Sequence, residues 1–212
     1  MALIKIGANP CQKPTGLLGR FVLWNMNSRH SKVTDWGLSR ISIAKNDTIL
    51  DVGCGGGRTV NKLSRAASGG KVYGIDFSPQ SVAIATRVNR ELIAAGRVEI
   101  REASVSSLPF ANDTFDLVSA VETHFWWPDL KADMCEVRRV LKPGGTLIVI
   151  AEIYKGADTK RSKLMEKYLP QSGIKLLTVG EHRELFADAG YSDIRIIADP
   201  ATLWICCIGK KL

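Results

Sequence analysis

The stretch "DVGCGGGRT", Asp51 to Thr59, sets a carboxylate two positions ahead of three alternate glycines, Gly53, Gly55 and Gly57. Glycines spaced in this way let a backbone turn sharply and come close to a ligand where a Cβ would collide. A second carboxylate, Asp76, follows about 20 residues on, at the end of the next β-type run, where it can accept hydrogen bonds from ribose hydroxyls. Together they suit an adenosine-bearing ligand. Two common phosphate loops do not fit: the dinucleotide pattern Gly-x-Gly-x-x-Gly requires a glycine where Arg58 stands, and no Gly-Lys-Ser/Thr follows the loop. Farther on, Glu122 and His124 close another apolar run. With an ordinary pKa of about 6.5, His124 is suited to proton transfer at neutral pH, or else it only caps and hydrogen-bonds. Glu122 is the second acid–base candidate. Trp126 and Trp127 either wall a flat or cationic substrate or anchor the loop in the core. His30, in a polar stretch beside Arg29, reads as a surface residue.

These groups need a scaffold that brings them together. Short β-branched runs at 48–52, 71–75, 98–102, 115–121 and 146–152 alternate with amphipathic stretches, a pattern of strand–helix units around a parallel sheet. Val82, Ala85, Val88 and Leu92 recur at helical spacing after a Ser78–Pro79 start signal. Leu130, Met134, Val137 and Leu141 do the same, and "KPGG" (142–145) ends that helix and turns the chain into the fifth strand. A capped helix in "GEHRELFADAGY" precedes two closing strands, "SDIRIIA" and "TLWICCIG", which pair as an edge hairpin through "DPA". Leu17, Leu18, Phe21 and Val22 line one possible helix ahead of the sheet, and Val33, Trp36, Arg40, Ile41 and Ala44 a second. Residues 1–32 read as a cover segment and 33–212 as one domain. In an open parallel sheet, ligands bind outside the carboxyl ends of the strands, so Asp51 to Gly57, Asp76 and Glu122 to His124 face one crevice.

The 212 residues suffice for one well-buried core, with 45% hydrophobic and 24% charged residues. No apolar run approaches the roughly 20 residues of a membrane span. An N-terminus interrupted by a lysine and a proline does not read as an export signal, so a cytoplasmic protein is expected. Cys11, Cys54, Cys135, Cys206 and Cys207 are an odd set without C-x-x-C spacing, which fits reduced thiols. His30, His124 and His182 are scattered and announce no metal site. A net charge of +8 makes an anionic partner thinkable. The cations are dispersed, however, with one denser patch at 155–167 that reads as a solvated helix face or lid.

"LDVGCGGG" resembles the first motif of the class I, Rossmann-like S-adenosylmethionine-dependent methyltransferases. Further matches follow in family order: "GIDFSP" (74–79), "REASVSSLPF" (101–110), "FDLVSAVETHFWW" (115–127), "LKPGG" (141–145) and, at the C-terminus, "FADAGYSDIRI". The similarity runs from about residue 33 to the end. It implies an α/β fold: a doubly wound, mostly parallel seven-stranded sheet in the order 3-2-1-4-5-7-6, the last strand antiparallel, with helices on both faces and an N-terminal helical cover. By position, Asp51, Gly53 and Gly55 hold the amino and carboxylate groups of S-adenosylmethionine directly or through water. Asp76 takes the ribose hydroxyls, Phe77 lies against the adenine, Ala103 offers its backbone amide and Glu102 reaches the exocyclic amine. The family commonly has Asp-Ala at that last step, where this chain has Glu102-Ala103.

The expected activity is methyl transfer to a small-molecule acceptor, with His124 or Glu122 as the base where one is needed. Asp/Asn/Ser-Pro-Pro-aromatic is absent after strand four, which argues against amino-methylation of DNA bases or glutamine. No Pro-Cys stands there either, so cytosine C5 methylation lacks its nucleophile. A non-catalytic cofactor-binding protein and an RNA methyltransferase remain as alternatives, and a dehydrogenase ranks last. The acceptor and the oligomeric state are not written in any motif.

Overall fold

Near-continuous apolar runs become strands buried on both faces, as expected where helices cover both sides of a parallel sheet. The computed structural model describes residues 31–168 and 173–212. Most of the expected cover segment, with Cys11 and His30, lies outside the described residues. In chain order the elements are α1 (Ser31–Leu38), β1 (Thr48–Val52), α2 (Arg58–Ala66), β2 (Lys71–Asp76), α3 (Pro79–Val88), α4 (Arg90–Ala94) and β3 (Val98–Glu102). Then come β4 (Phe115–Val121), a 3₁₀ turn (His124–Trp126), α5 (Leu130–Val140), β5 (Leu141–Ala151), α6 (Lys160–Tyr168), α7 (Val179–Asp188), β6 (Ser192–Asp199) and β7 (Trp204–Lys210).

The strands form one seven-stranded sheet in the order β3-β2-β1-β4-β5-β7-β6. All pairs from β3 to β5 are parallel, and β7 runs antiparallel to both β5 and β6. Alternation along each strand divides the core. Ile49, Val72, Leu117, Ile148 and Ile150 point to one face with Val60, Leu63 and Ala85 of α2 and α3. Leu50, Val118, Leu147 and Val149 point to the other with Met134 and Val137 of α5 and Phe186 of α7. No described helix is long and apolar enough to cross a membrane.

Three elements depart from the sequence expectation. The helix expected to run through Leu92 breaks at Asn89, whose side-chain amide donates to Gly57 O (3.0 Å) and Ala85 O (2.9 Å). Asn89 thus leaves the helical register and ties the glycine loop to α3. The fifth strand does not start at Thr146 but at Leu141, directly after α5. Phe115 pairs with Leu141 and Leu117 with Thr146, so Lys142 to Gly145 bulge out of the ladder, where Pro143 has no N–H to offer. The helix expected to reach Ala44 stops at Leu38, and Arg40 stacks on Trp36 at 5.0 Å.

Helix starts follow the sequence chemistry. Ser78 caps α3 by accepting from Ser81 N (3.4 Å), with Pro79 in the first turn. Asp129 caps α5, and Thr178 with Glu181 forms a reciprocal capping box on α7.

Replacing Asn89 by Ala removes two buried side-chain hydrogen bonds, to Gly57 O and Ala85 O, although each carbonyl keeps a backbone donor, Asn61 N–H and residue 89 N–H respectively. The expected loss of stability is about 1–3 kcal/mol, read as a lower denaturation midpoint in urea at unchanged slope.

Candidate functional site

The strand ends of β1, β2 and β4 open onto a cavity of about 420 Å³. Its floor is the glycine loop. Gly53 (φ +72°) packs under Thr123, where an added Cβ would lie 2.5 Å from Thr123 Cγ2. Gly55 (φ +51°) lines the cavity, and where its Cβ would stand nothing lies within 4 Å. A side chain at Gly55 would enter the space a ligand needs, on a backbone that other residues rarely adopt. Thr123 also donates from Oγ1 to Val52 O (3.1 Å), which holds the two loops together.

Asp76, at the end of β2, lines the cavity while remaining 7% exposed. Its Oδ2 accepts Gly55 N–H (2.9 Å) and its Oδ1 accepts Ser78 N–H (2.9 Å). Burial raises its pKa, and the two amides oppose that shift. Phe77, 44% exposed, and Ala103 continue the same wall. Ala103 N is already committed to Asp76 O (3.1 Å). Glu102 is exposed at the end of β3 and does not line the cavity.

Asp51 is also off the wall. It is 2% exposed beneath the loop, and Ser119 of β4 donates to its Oδ1 at 2.6 Å. Burial, with the nearby Asp76 charge, pushes its carboxyl up to about 7 against the lowering effect of Ser119. The Asp51 carboxylate thus lies beneath the glycine loop and not on the cavity wall.

The two acid–base candidates separate. Glu122 is at the wall, with φ at +59°, an uncommon backbone state for a side chain of this size. Its Oε1 accepts Glu152 N–H from the end of β5. Burial first, and the Glu152 charge second, push the Glu122 carboxyl up to about 8. His124 is 2% exposed and does not line the cavity. Its Nε2 lies 3.1 Å from Nε2 of His182 on α7. His182 Nδ1 lies 2.8 Å from Thr178 O, which can only accept. His182 is thereby an N–H donor at Nδ1 and an acceptor at Nε2, and His124 must donate from Nε2. Its remaining nitrogen, Nδ1, has no hydrogen-bond partner among the described residues. Burial holds both imidazoles below the ordinary histidine range. The expectation of a base at the reacting position thus meets a neutral, buried ring turned to another element.

Trp126 and Trp127 both line the cavity, and Trp127 is also part of the core at 4% exposure. Among the wall residues that escaped the sequence reading are Arg58, Lys62 and Thr123. Arg58 and Lys62 are one helical turn apart on α2, directly after the glycines, and that spacing was the available signal. Lys62 bridges to α1 through Ser31 Oγ (2.9 Å) and the Asp35 carboxylate. No group of three or more His, Cys, Asp or Glu side chains among the described residues is arranged to hold a metal ion.

Replacing Glu122 by Gln keeps an acceptor for Glu152 N–H and removes the titration. A carboxyl whose folded pKa exceeds its unfolded one favours folding below about 4.5, and that contribution is lost as pH rises through about 8. The E122Q protein should therefore gain on the wild type between pH 6 and 9, by roughly 2 kcal/mol or more at the alkaline end, in thermal melts across pH.

Residues 50–149 match the family described as a methyltransferase domain. An O-methyltransferase of Penicillium expansum is 29% identical over 157 residues, 74% of this chain and 56% of that protein. The chain spans about half the length of the curated relatives it matches. Among solved structures, geranyl diphosphate C-methyltransferase from Streptomyces coelicolor superposes with a TM-score of 0.74 at 18% identity, over 96% of this chain and 87% of that one. The (4+2)-cyclase SpnF superposes with a TM-score of 0.69 at 21% identity, over 85% of this chain and 80% of that one. At such identities the likeness is one of fold, and the fold alone serves more than one chemistry. Over residues 50–149 the chain is thus similar to the methyltransferase-domain family, and it carries that match on a seven-stranded sheet of the order β3-β2-β1-β4-β5-β7-β6.

Proposed function

We propose that this chain is an S-adenosylmethionine-dependent methyltransferase acting on a small-molecule acceptor. The observation that carries the reading is the joint between Asp76 and the glycine loop: a carboxylate on the cavity wall bonded to Gly55 N–H, beside open space in place of a Cβ. That wall fits an adenosine ligand, with Asp76 for the ribose hydroxyls, Phe77 against the base and Gly53 with Gly55 at the methionine end. When bound, the cofactor supplies a methyl group on an already activated sulfonium. Asp51 acts one layer below, holding the loop through Ser119 rather than touching the ligand.

The chain's own part is then to orient an acceptor and exclude water. Trp126, Trp127 and Val121 give the wall beyond the glycine loop an apolar character suited to a flat, weakly polar acceptor. Glu122 stands there with Oε1 engaged by Glu152 N–H, and burial favours its neutral carboxyl, which makes it a poor proton acceptor at neutral pH and a wall group that orients rather than deprotonates an acceptor. A cytoplasmic setting accords with Cys54, Cys135, Cys206 and Cys207 being free thiols. Within the basic segment Lys163 pairs with Asp158 at 2.7 Å, which suits a solvated helix face.

One observation favours a second reading, cofactor binding without transfer: His124, the residue best suited by type to take a proton, lies off the cavity. Incubation with methyl-labelled S-adenosylmethionine and a panel of phenols, amines, thiols and activated carbons separates the two. Formation of S-adenosylhomocysteine supports transfer, whereas tight binding with no turnover across the panel supports the second reading.

The Asp76→Asn variant should bind S-adenosylhomocysteine about 10- to 100-fold more weakly in calorimetry, the worth of a hydrogen bond to a charged group. Unchanged affinity would remove Asp76 from the site.

A further inference from the structure

The turn after β4 supplies Thr123, Trp126 and Trp127 to the cavity, yet much of its support comes from a distant part of the chain. Lys175 N donates to Phe125 O (3.2 Å), and Lys175 Nζ donates to Trp127 O (3.1 Å) and Pro128 O (2.8 Å). Seven residues on, His182 meets His124. The His182 ring is itself oriented by the first turn of α7, because Thr178 O accepts from both its backbone N–H (3.0 Å) and its Nδ1 (2.8 Å). The capping box pins Thr178 in turn. A chain of fixed polarity therefore runs from the α7 cap through His182 Nε2 to the N–H of His124, and so to the backbone that carries the two tryptophans.

We propose that His182 is a positioning residue for the acceptor wall, acting through His124. Naming the wall for the acceptor rests on the function proposed above. Two imidazoles in a buried site are joined by one hydrogen bond, and His124 Nδ1 has no partner among the described residues. Such a contact sets the orientation of the turn, because the donor and acceptor atoms are specified one by one, whereas apolar packing tolerates rotation.

In this tautomer the bond uses the lone pair on His182 Nε2. A proton there would set two N–H groups against each other unless His124 moved its own N–H to Nδ1, which has no acceptor among the described residues. Few charges bear on the pair. His124 feels His182, and His182 feels Glu181, whose carboxylate is engaged by Thr178 N–H and influenced by Lys155. The Lys175 ammonium is bonded to its two carbonyls, and Glu122 and Glu152 lie on the strand side of the turn. Acid should thus loosen the turn while leaving the sheet intact, and the bond is at full strength above the ordinary histidine pKa of about 6.5.

The test is amide hydrogen exchange on the ligand-free full chain, with protection corrected for intrinsic rate at each pH. Between pH 7.5 and 5, the wild type should lose roughly tenfold protection at Trp126 and Trp127 and in 175–182, with β4 and β5 unchanged. The His182→Gln variant supplies a non-titrating acceptor in place of one of the two imidazoles and should lose clearly less protection than the wild type across that range. The His182→Phe variant should show the low value at both pH values, and the wild-type and H182Q comparison decides the matter even where H182F does not fold. Wild-type protection independent of pH, or H182Q following the wild-type titration, would overturn the proposal. Calorimetry with S-adenosylhomocysteine at pH 7.5 on the same preparations reads the cofactor separately. H182Q should match the wild type within about twofold there, and wild type that does not bind would sink the proposed function while leaving the exchange result to stand.

Discussion

The site depends on one pairing in the sheet, that of β1 with β4. Ile49, Leu50 and Asp51 lie against Leu117, Val118 and Ser119, and the chain leaves these two neighbouring strands in different directions. Between diverging loops there is a crevice, and in a doubly wound sheet this reversal of strand order is where one forms. The pairing brings Thr123 over Gly53, where no Cβ fits, and Ser119 to Asp51. It also brings Glu122 to the wall opposite Asp76, although the two are distant in sequence. Nearly all the polar chemistry of the site lies within a few residues of that seam.

Burial at the seam imposes a common condition on its ionisable groups. Asp51 and Glu122 are pushed up to about 7 and about 8, and His124 and His182 are pushed down, so all four lean to their neutral forms. Two mechanisms limit the cost of keeping such groups buried. Backbone amides engage Asp76 and Glu122, and a side-chain hydroxyl engages Asp51. The histidines use each other. A site built in this way favours orientation by neutral hydrogen bonds over strong general-base catalysis, which suits the methyl transfer proposed above, where the leaving group would already be activated.

Legibility in the sequence followed the range of the interaction. Strands β1, β3 and β4 match their expected runs residue for residue, and β2 extends one residue further, because near-continuous burial of β1, β2 and β4 and the alternation of Val98 and Ile100 with charged residues in the edge strand β3 are both local signals. The helix start at Ser78 was equally local, whereas α7 takes its cap from Thr178, two residues ahead of the expected "GEHRELFADAGY" stretch. The misread boundaries each have a distant cause. Helix α3 ends at Asn89 because its amide reaches back to Gly57, and β5 starts early because Leu141 finds Phe115 across a bulge. Ser119 stands as a polar residue inside an apolar strand, and only the neighbouring strand explains it.

Taken alone, the sequence determined the local chemistry: which residues form strands, where the glycines open the backbone, and that Asp76 stands at a strand end. Those properties come from backbone sterics and side-chain periodicity, which act over a few residues. The tertiary structure decided which of the candidate groups reach the cavity. It placed Glu122, Asp76, Phe77, Ala103, Gly53 and Gly55 on the wall, and set Asp51, Glu102 and His124 off it. It also joined His124 to a partner 58 positions away. Spacing along the chain cannot distinguish a ring that faces a cavity from one that faces a helix, because that choice is made by the packing of α7 against the turn after β4.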